Sequence, residues 1–157
     1  MKDIDDILTK CLKGDRKSQA KLVAHFGPKL LPLCKRYTKD FHLAQDALQD
    51  TFVNVFKYLK NYQGKGVFDA WIRRIAVNCS LNLLKKSKFT YQSVSDNGEY
   101  ILPQIDAEVY ESLNYEDLLA IVQELPPIYY TVFNLYVIEG YDHKEIGKML
   151  DLSLIHI

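Results

Sequence analysis

Apolar residues recur at three- and four-residue steps along most of the chain, the spacing of helices with one buried face. Ile4, Ile7, Leu8, Cys11 and Leu12 predict a short first helix ending near Gly14. A second carries Ala20, Val23, Ala24, Leu30, Leu31, Cys34 and Tyr37, with Asp15 or Ser18 placed to cap its free N–H groups. Gly27 and Pro28 fall inside it and offer a place for a kink or break. A third run, from His42 to Tyr58, turns Leu43, Ala44, Ala47, Leu48, Thr51, Phe52, Val55 and Phe56 inward and Gln45, Asp46, Gln49, Asp50 and Asn54 outward. After Gly64 and Gly66 a fourth helix begins, with Phe68, Ile72, Ile75, Ala76, Cys79 and Leu83 on its buried face.

The pattern then lapses. Ser87, Ser93, Ser95, Asp96, Asn97, Gly98, Pro103 and Gln104 mark a polar linker. Periodicity returns with Tyr115, Leu118, Leu119, Ile121, Val122 and Leu125, closed by Pro126 and Pro127. Ile128, Val132, Phe133, Leu135, Tyr136 and Ile138 predict another helix ending at Gly140. Asp142 caps a last one, with Ile146, Met149 and Leu150 inward. The expected fold is all-α: two small helical domains, 1–88 and 114–151, joined by a flexible linker over 89–113, with 152–157 as a tail.

Charge separates the same two halves. Residues 1–90 carry 18 Lys and Arg against 8 Asp and Glu, and residues 91–157 carry 2 against 12, so a net charge of zero conceals a basic unit and an acidic one. The basic unit suits a polyanion, and an acidic unit packed on a basic one would also account for the split. Cys11, Cys34 and Cys79 are far apart in apolar helical settings and read as buried thiols of a reducing compartment. No apolar run approaches membrane-spanning length and the N-terminus is acidic, so a cytoplasmic location is expected.

Candidate chemistry is confined to a few surfaces. On the fourth helix Arg74, Asn78, Asn82 and Lys85 form a second stripe, flanked by Arg73 and Lys86; cations neutralise phosphates and amides reach base edges. The preceding loop joins Lys57, Lys60, Asn61, Tyr62, Gln63, Gly64 and Lys65, which supply a π-face, amides and cations for an unstacked base. A solvated helix face and a plain surface turn would have the same compositions. The carboxylates and amides on the outside of the third helix would repel DNA and suit a protein partner. His25, His42, His143 and His156 lack metal-ligand spacing, and no phosphate-cradling glycine loop or nucleophile motif occurs, so neither cofactor nor enzyme chemistry is supported.

These residues resemble the extracytoplasmic-function class of bacterial RNA polymerase sigma factors over nearly the whole chain to about Leu150. The resemblance is carried by Gln45-Asp46-Ala47-Leu48-Gln49-Asp50-Thr51-Phe52, by Tyr62-Gln63-Gly64 leading into Phe68-Asp69-Ala70-Trp71-Ile72-Arg73-Arg74-Ile75-Ala76-Val77-Asn78, and by Leu125-Pro126 through Glu139-Gly140 and Glu145-Ile146-Gly147. It implies a first domain, sigma region 2, that binds core polymerase and opens the minus-ten promoter element, and a second, region 4, that reads the upstream element. It further implies that Asp46, Gln49, Asp50 and Phe52 lie at or beside the polymerase contact, with Phe52 alternatively serving the core. Lys60, Tyr62, Gln63, Gly64, Lys65 and Asn78 would hold a flipped non-template base, and Arg73, Arg74, Asn82, Lys85 and Lys86 would contact the strand. An anti-sigma partner is a further implication.

The resemblance departs at the C-terminal end. Glu145-Ile146-Gly147 opens a helix-turn-helix, yet the recognition helix that should follow is replaced by Leu152-Ser153-Leu154-Ile155-His156-Ile157. That hexapeptide matches a translated sequencing adapter, so region 4 is expected to be truncated and the tail non-native. Two other readings remain: a helix-turn-helix regulator acting without polymerase, and an all-helical interaction module with an incidental basic face.

Overall fold

The computed structural model describes residues 2–62, 67–86 and 115–152. Gln63, Gly64, Lys65, the expected linker and residues 153–157 lie outside the described residues. The chain divides into two compact units, Met1–Ser87 and Lys88–Ile157.

The first unit comprises α1 (Lys2–Leu12), α2 (Arg16–Thr38), α3 (Phe41–Tyr58), a single 3₁₀ turn (Leu59–Asn61) and α4 (Phe68–Lys86). Helices α2, α3 and α4 each pack on the other two, and α1 rests on α2. Leu22, Phe26 and Leu30 of α2, Ala44, Ala47 and Val55 of α3, and Ile72, Ala76 and Val77 of α4 fill the core between them. Alanines on both α3 and α4 let those two helices approach closely. The buried hydroxyls of Thr51 and Ser80 donate back to the carbonyls of Ala47 at 2.6 Å and Ala76 at 2.8 Å, so neither is stranded in the core.

Helix α2 runs unbroken through Pro28 and Pro32. Both prolines face solvent, while Leu22, Phe26, Leu30 and Leu33 bind the two halves of the helix to one core. The expected core positions Ala20, Val23 and Ala24 are exposed instead, because the buried face runs one position earlier. On α4 the buried arc is wider than its period suggests. Two helices pack on it, so Val77, Ser80, Leu81 and Leu84 are buried along with the predicted face, and Ile75 and Leu83 are left half-exposed.

Asp15 is the cap of α2: its carboxylate accepts from Ser18 N–H at 2.9 Å and from the Ser18 hydroxyl at 2.5 Å. These bonds favour the ionised form and hold its pKa below the usual 3.8. A lowered native pKa means that the cap stabilises above the unfolded value and is lost as pH falls from about 4 through the native value. Asp15→Asn keeps an acceptor that does not titrate. Thermal unfolding between pH 2 and 6 should therefore show a shallower acid limb for the variant, and parallel limbs would refute this cap as a source of acid sensitivity.

The second unit holds α5 (Tyr115–Glu124), α6 (Pro127–Phe133), a π-helical segment (Asn134–Ile138) and α7 (His143–Leu150). Pro127 occupies the first turn of α6, where a missing N–H costs nothing. The π segment corrects the expected register. Glu139 N–H bonds the Asn134 carbonyl at 3.0 Å, five residues back, which inserts an extra residue into the turn. Tyr130 and Thr131 of α6 and Asn134 and Leu135 at the start of the segment are buried, and Tyr136, Val137 and Ile138 after them are exposed. Gly140, at φ +75°, reverses the chain, and Tyr141 N–H closes on the Leu135 carbonyl at 2.9 Å. A reciprocal capping box then starts α7, with Glu145 N–H on Asp142 at 2.7 Å and Asp142 N–H on Glu145 at 3.4 Å. Ile146 and Leu150 turn inward from it. Among the described residues no helix is long and apolar enough to cross a membrane.

Candidate nucleic-acid and protein interfaces

Helices α2, α3 and α4 each give a buried face to the other two, so their remaining side chains point away from that core. At about 100° per residue, Arg74, Lys85, Asn78 and Asn82 fall within an arc of roughly 80° on α4. All four are exposed. Lys86 is exposed at the end of the helix. Arg73 stands elsewhere: successive residues do not share a helix face, and Arg73 is half-buried on the packed side. It does not share the arc of Arg74, Asn78, Asn82 and Lys85.

Sequence reasoning missed one member of this arc. Trp71 precedes Arg74 by three residues and Asn78 by seven, which sets it on the same face, and it is half-buried rather than sealed in the core. The spacing alone could have shown it. Trp71 belongs to an aromatic cluster at the mouth of the α3–α4 loop. Its ring lies 5.4 Å from that of Tyr62 and 5.5 Å from that of Phe68, and Tyr62 and Phe68 meet edge-on at 5.2 Å. Phe68 is buried and continues the cluster to Phe26 at 5.4 Å. The start of the loop is thus fixed by ring packing, with Tyr62 half-exposed and Lys60 exposed nearby in sequence.

On α3 the outward arc is Asp46, Gln49, Asp50, Val53 and Lys57, all exposed. Val53 is 64% exposed in the middle of this polar face, an apolar contact point that the sequence reading overlooked. Asp40 starts the helix by accepting from Leu43 N–H at 2.8 Å. Phe52 lies beneath the face, not on it: it is 7% exposed and stacks on Phe56 with ring centroids 6.3 Å apart. Its role is to pack under the face, the core alternative weighed above. Asn54 is corrected as well. It leans toward α4, where its amide lies 3.3 Å from Cys79 Sγ.

The three cysteines are buried free thiols. Burial raises the Cys11 and Cys34 pKa values, so both remain protonated and unreactive at neutral pH. Among the described residues no group of three His, Cys, Asp or Glu is placed to hold a metal ion.

The Sigma-70 region 2 family matches residues 22–90, which take in α2 from Leu22 onward and all of α3 and α4, and the Sigma-70, region 4 family matches residues 115–154. Similar curated proteins include the ECF RNA polymerase sigma factor SigE of Mycolicibacterium smegmatis, 28% identical over 137 residues, which covers 85% of this chain and 53% of that protein. The RNA polymerase sigma-H factor of Pseudomonas aeruginosa is 27% identical over 149 residues, covering 88% of this chain and 77% of that one. The ECF RNA polymerase sigma factor SigW of Bacillus subtilis is 28% identical over 158 residues, 90% of this chain and 82% of that one. The chain therefore spans about half the length of the first relative and about four-fifths of the other two. CnrH, solved in complex with the cytosolic domain of CnrY, matches with a TM-score of 0.51 at 20% identity, over 96% of this chain and 84% of that chain, and shares the fold. With region 2 on the first helical unit, region 4 on the second and relatives of one kind throughout, the chain belongs to the sigma-70 family of RNA polymerase sigma factors, in its extracytoplasmic-function group.

Proposed function

We propose that the chain binds core RNA polymerase through the outer face of α3 and holds the opened non-template strand of the minus-ten element on α4 and the α3–α4 loop. One observation carries the reading: a single packed unit presents two faces of opposite chemistry. Asp46 and Asp50 make one of them anionic, and Arg74, Asn78, Asn82 and Lys85 make the other cationic and amide-bearing. A carboxylate face seeks basic protein groups, and the second arc seeks phosphates and base edges.

Promoter opening needs no covalent chemistry. Unstacking a base costs a few kcal/mol. A stacking contact returns ~1–3 kcal/mol per base, and phosphate contacts add to it. A surface that binds only the open strand therefore shifts the duplex–open equilibrium by its own affinity for that strand. Tyr62 and Trp71 supply the ring surface at the loop, and Asn78 is the amide on the arc nearest to them.

Single-strand binding tests the assignment. With oligonucleotides varied one position at a time, Asn78→Ala should narrow discrimination at one base by about 1–3 kcal/mol. Lys85→Ala should weaken every strand alike and lower the salt slope by roughly 0.7 units. Equal losses from both variants across all sequences would remove the base-reading role of Asn78.

A further inference from the structure

The long helix α2 has a basic side that the reading above does not use. Lys17, Lys21, His25 and Lys29 follow one another at four-residue steps, and all are exposed. At 1.5 Å and about 100° per residue they form a ridge about 18 Å long that winds about 120° around the helix. Lys13 lies just before the helix, and Lys35 is exposed further along the same side. Helix α2 contains no Asp or Glu at all. The carboxylates nearest in sequence are engaged locally: Asp15 caps the helix, and Asp6 bonds Lys10. Lys29 lies 3.2 Å from His25 Nε2 and over the Phe26 ring at 5.5 Å, which orients it along the ridge.

Like charges one helical turn apart destabilise a helix, so this row weakens α2 unless something anionic binds it. Leu22, Phe26, Leu30 and Leu33 fix the opposite face in the core, so the ridge is held rigid. Because α2, α3 and α4 each pack on the other two, the exposed side of α2 is distinct from the exposed sides of α3 and α4. It is a third surface of the unit.

Its composition selects the partner. Protein interfaces are depleted of lysine and centre on aromatic or apolar anchors, and the ridge has neither. Helices that lie on membranes insert large apolar side chains from the face opposite their lysines, and here that face is sealed in the core. Lysine ammoniums are point charges suited to phosphates, without the forked geometry that reads bases. The one ring on the ridge, the His25 imidazole, meets the Phe26 ring edge-on with centroids 4.8 Å apart, so the ridge offers no platform on which successive bases could stack, as single-strand sites do.

We propose that the α2 ridge, centred on Lys17, Lys21 and Lys29, grips the phosphate backbone of duplex DNA without reading its sequence. This goes beyond the function proposed above and does not depend on it, since a chain that failed to bind polymerase could still bind duplex.

The test uses the full chain, a blunt 24-base-pair duplex of arbitrary sequence, a single-stranded oligonucleotide, and vesicles of phosphatidylserine and phosphatidylcholine. Lys17→Gln, Lys21→Gln and Lys29→Gln are combined, and binding is followed from 50 to 200 mM salt. The duplex slope of log K on log salt should fall by roughly 2 to 3 units, as expected for three lost phosphate contacts. Single-strand binding should stay nearly unchanged, and the triple arginine variant should retain duplex binding. An unchanged duplex slope overturns the proposal. So does an equal loss for duplex and single strand, which would signify only a general field, and so does a loss confined to vesicles. Loss of duplex binding in the arginine variant would mark a structural role and overturn it too.

Discussion

Converting both Asp46 and Asp50 to lysine is expected to weaken binding of core RNA polymerase by at least about 100-fold, leaving the fold and single-strand binding intact. Like-charge juxtaposition across an interface costs several kcal/mol, and each 1.4 kcal/mol is about tenfold in affinity. Both side chains are exposed on α3, and neither packs into the core. Exposed substitutions of this kind usually change stability by no more than about 0.5 kcal/mol. The two positions are one turn apart, so two carboxylates already repel weakly there, and two lysines would repel by a similar amount. The double variant thus separates docking from folding. Titration of labelled chain with core polymerase gives the affinity, and the same protein titrated with a single strand gives the control. The neutral pair Asp46→Asn and Asp50→Asn should fall between wild type and the double lysine variant. Unchanged polymerase affinity in the lysine variant would remove α3 as the docking face. It would also favour a chain that acts on DNA without polymerase.

The helices were legible because their burial is one-sided or nearly so. The apolar period places α1, α3 and α7 well, and the expected caps Asp15 and Asp142 do cap the helices that follow them, as does Asp40, which the pattern did not single out. What failed to show was burial set by neighbours. Val77 and Leu81 of α4 sit outside any single apolar stripe, and only the packing of both α2 and α3 on α4 explains why they are covered. Asn54 looked like a surface residue until its approach to Cys79 was seen. The π segment is a backbone event, and an apolar period cannot report an extra residue in one turn, so Tyr136 and Ile138 were assigned to the wrong side. The α4 arc was legible for a simpler reason. Arg74, Asn78 and Asn82 are polar at strict four-residue steps, and all three are exposed. Arg73 adjoins Arg74 in sequence but stands about 100° from it around the helix, so the two do not share a face.

Truncating Ile72 to alanine should remove about 2–5 kcal/mol from the stability of the first unit, the usual range for deleting a fully buried branched side chain. Ile72 is 0% exposed and projects from α4 into the region where α2 and α3 meet it. Phe26, Leu30 and Val55 are buried in the same three-helix core, so collapse around the missing atoms is limited and a cavity persists. Domains of this size are stable by only about 5–15 kcal/mol, so the loss is a large part of the whole. The measurement is direct because Trp71 is the only tryptophan in the chain and lies next to Ile72 in the first unit. Its fluorescence in a urea titration should show a lower midpoint with an unchanged slope, since the surface exposed on unfolding hardly changes. Ile72→Val should lose only about 0.5–1.5 kcal/mol. Both interfaces should weaken together as the unit unfolds, unlike the selective effects of Lys85 or Asp46 variants. A midpoint for Ile72→Ala within about 1 kcal/mol of wild type would show that the three helices do not close on this side chain. The outward arrangement of Arg74 and Asn78 would then have to be fixed by something other than the core beneath them.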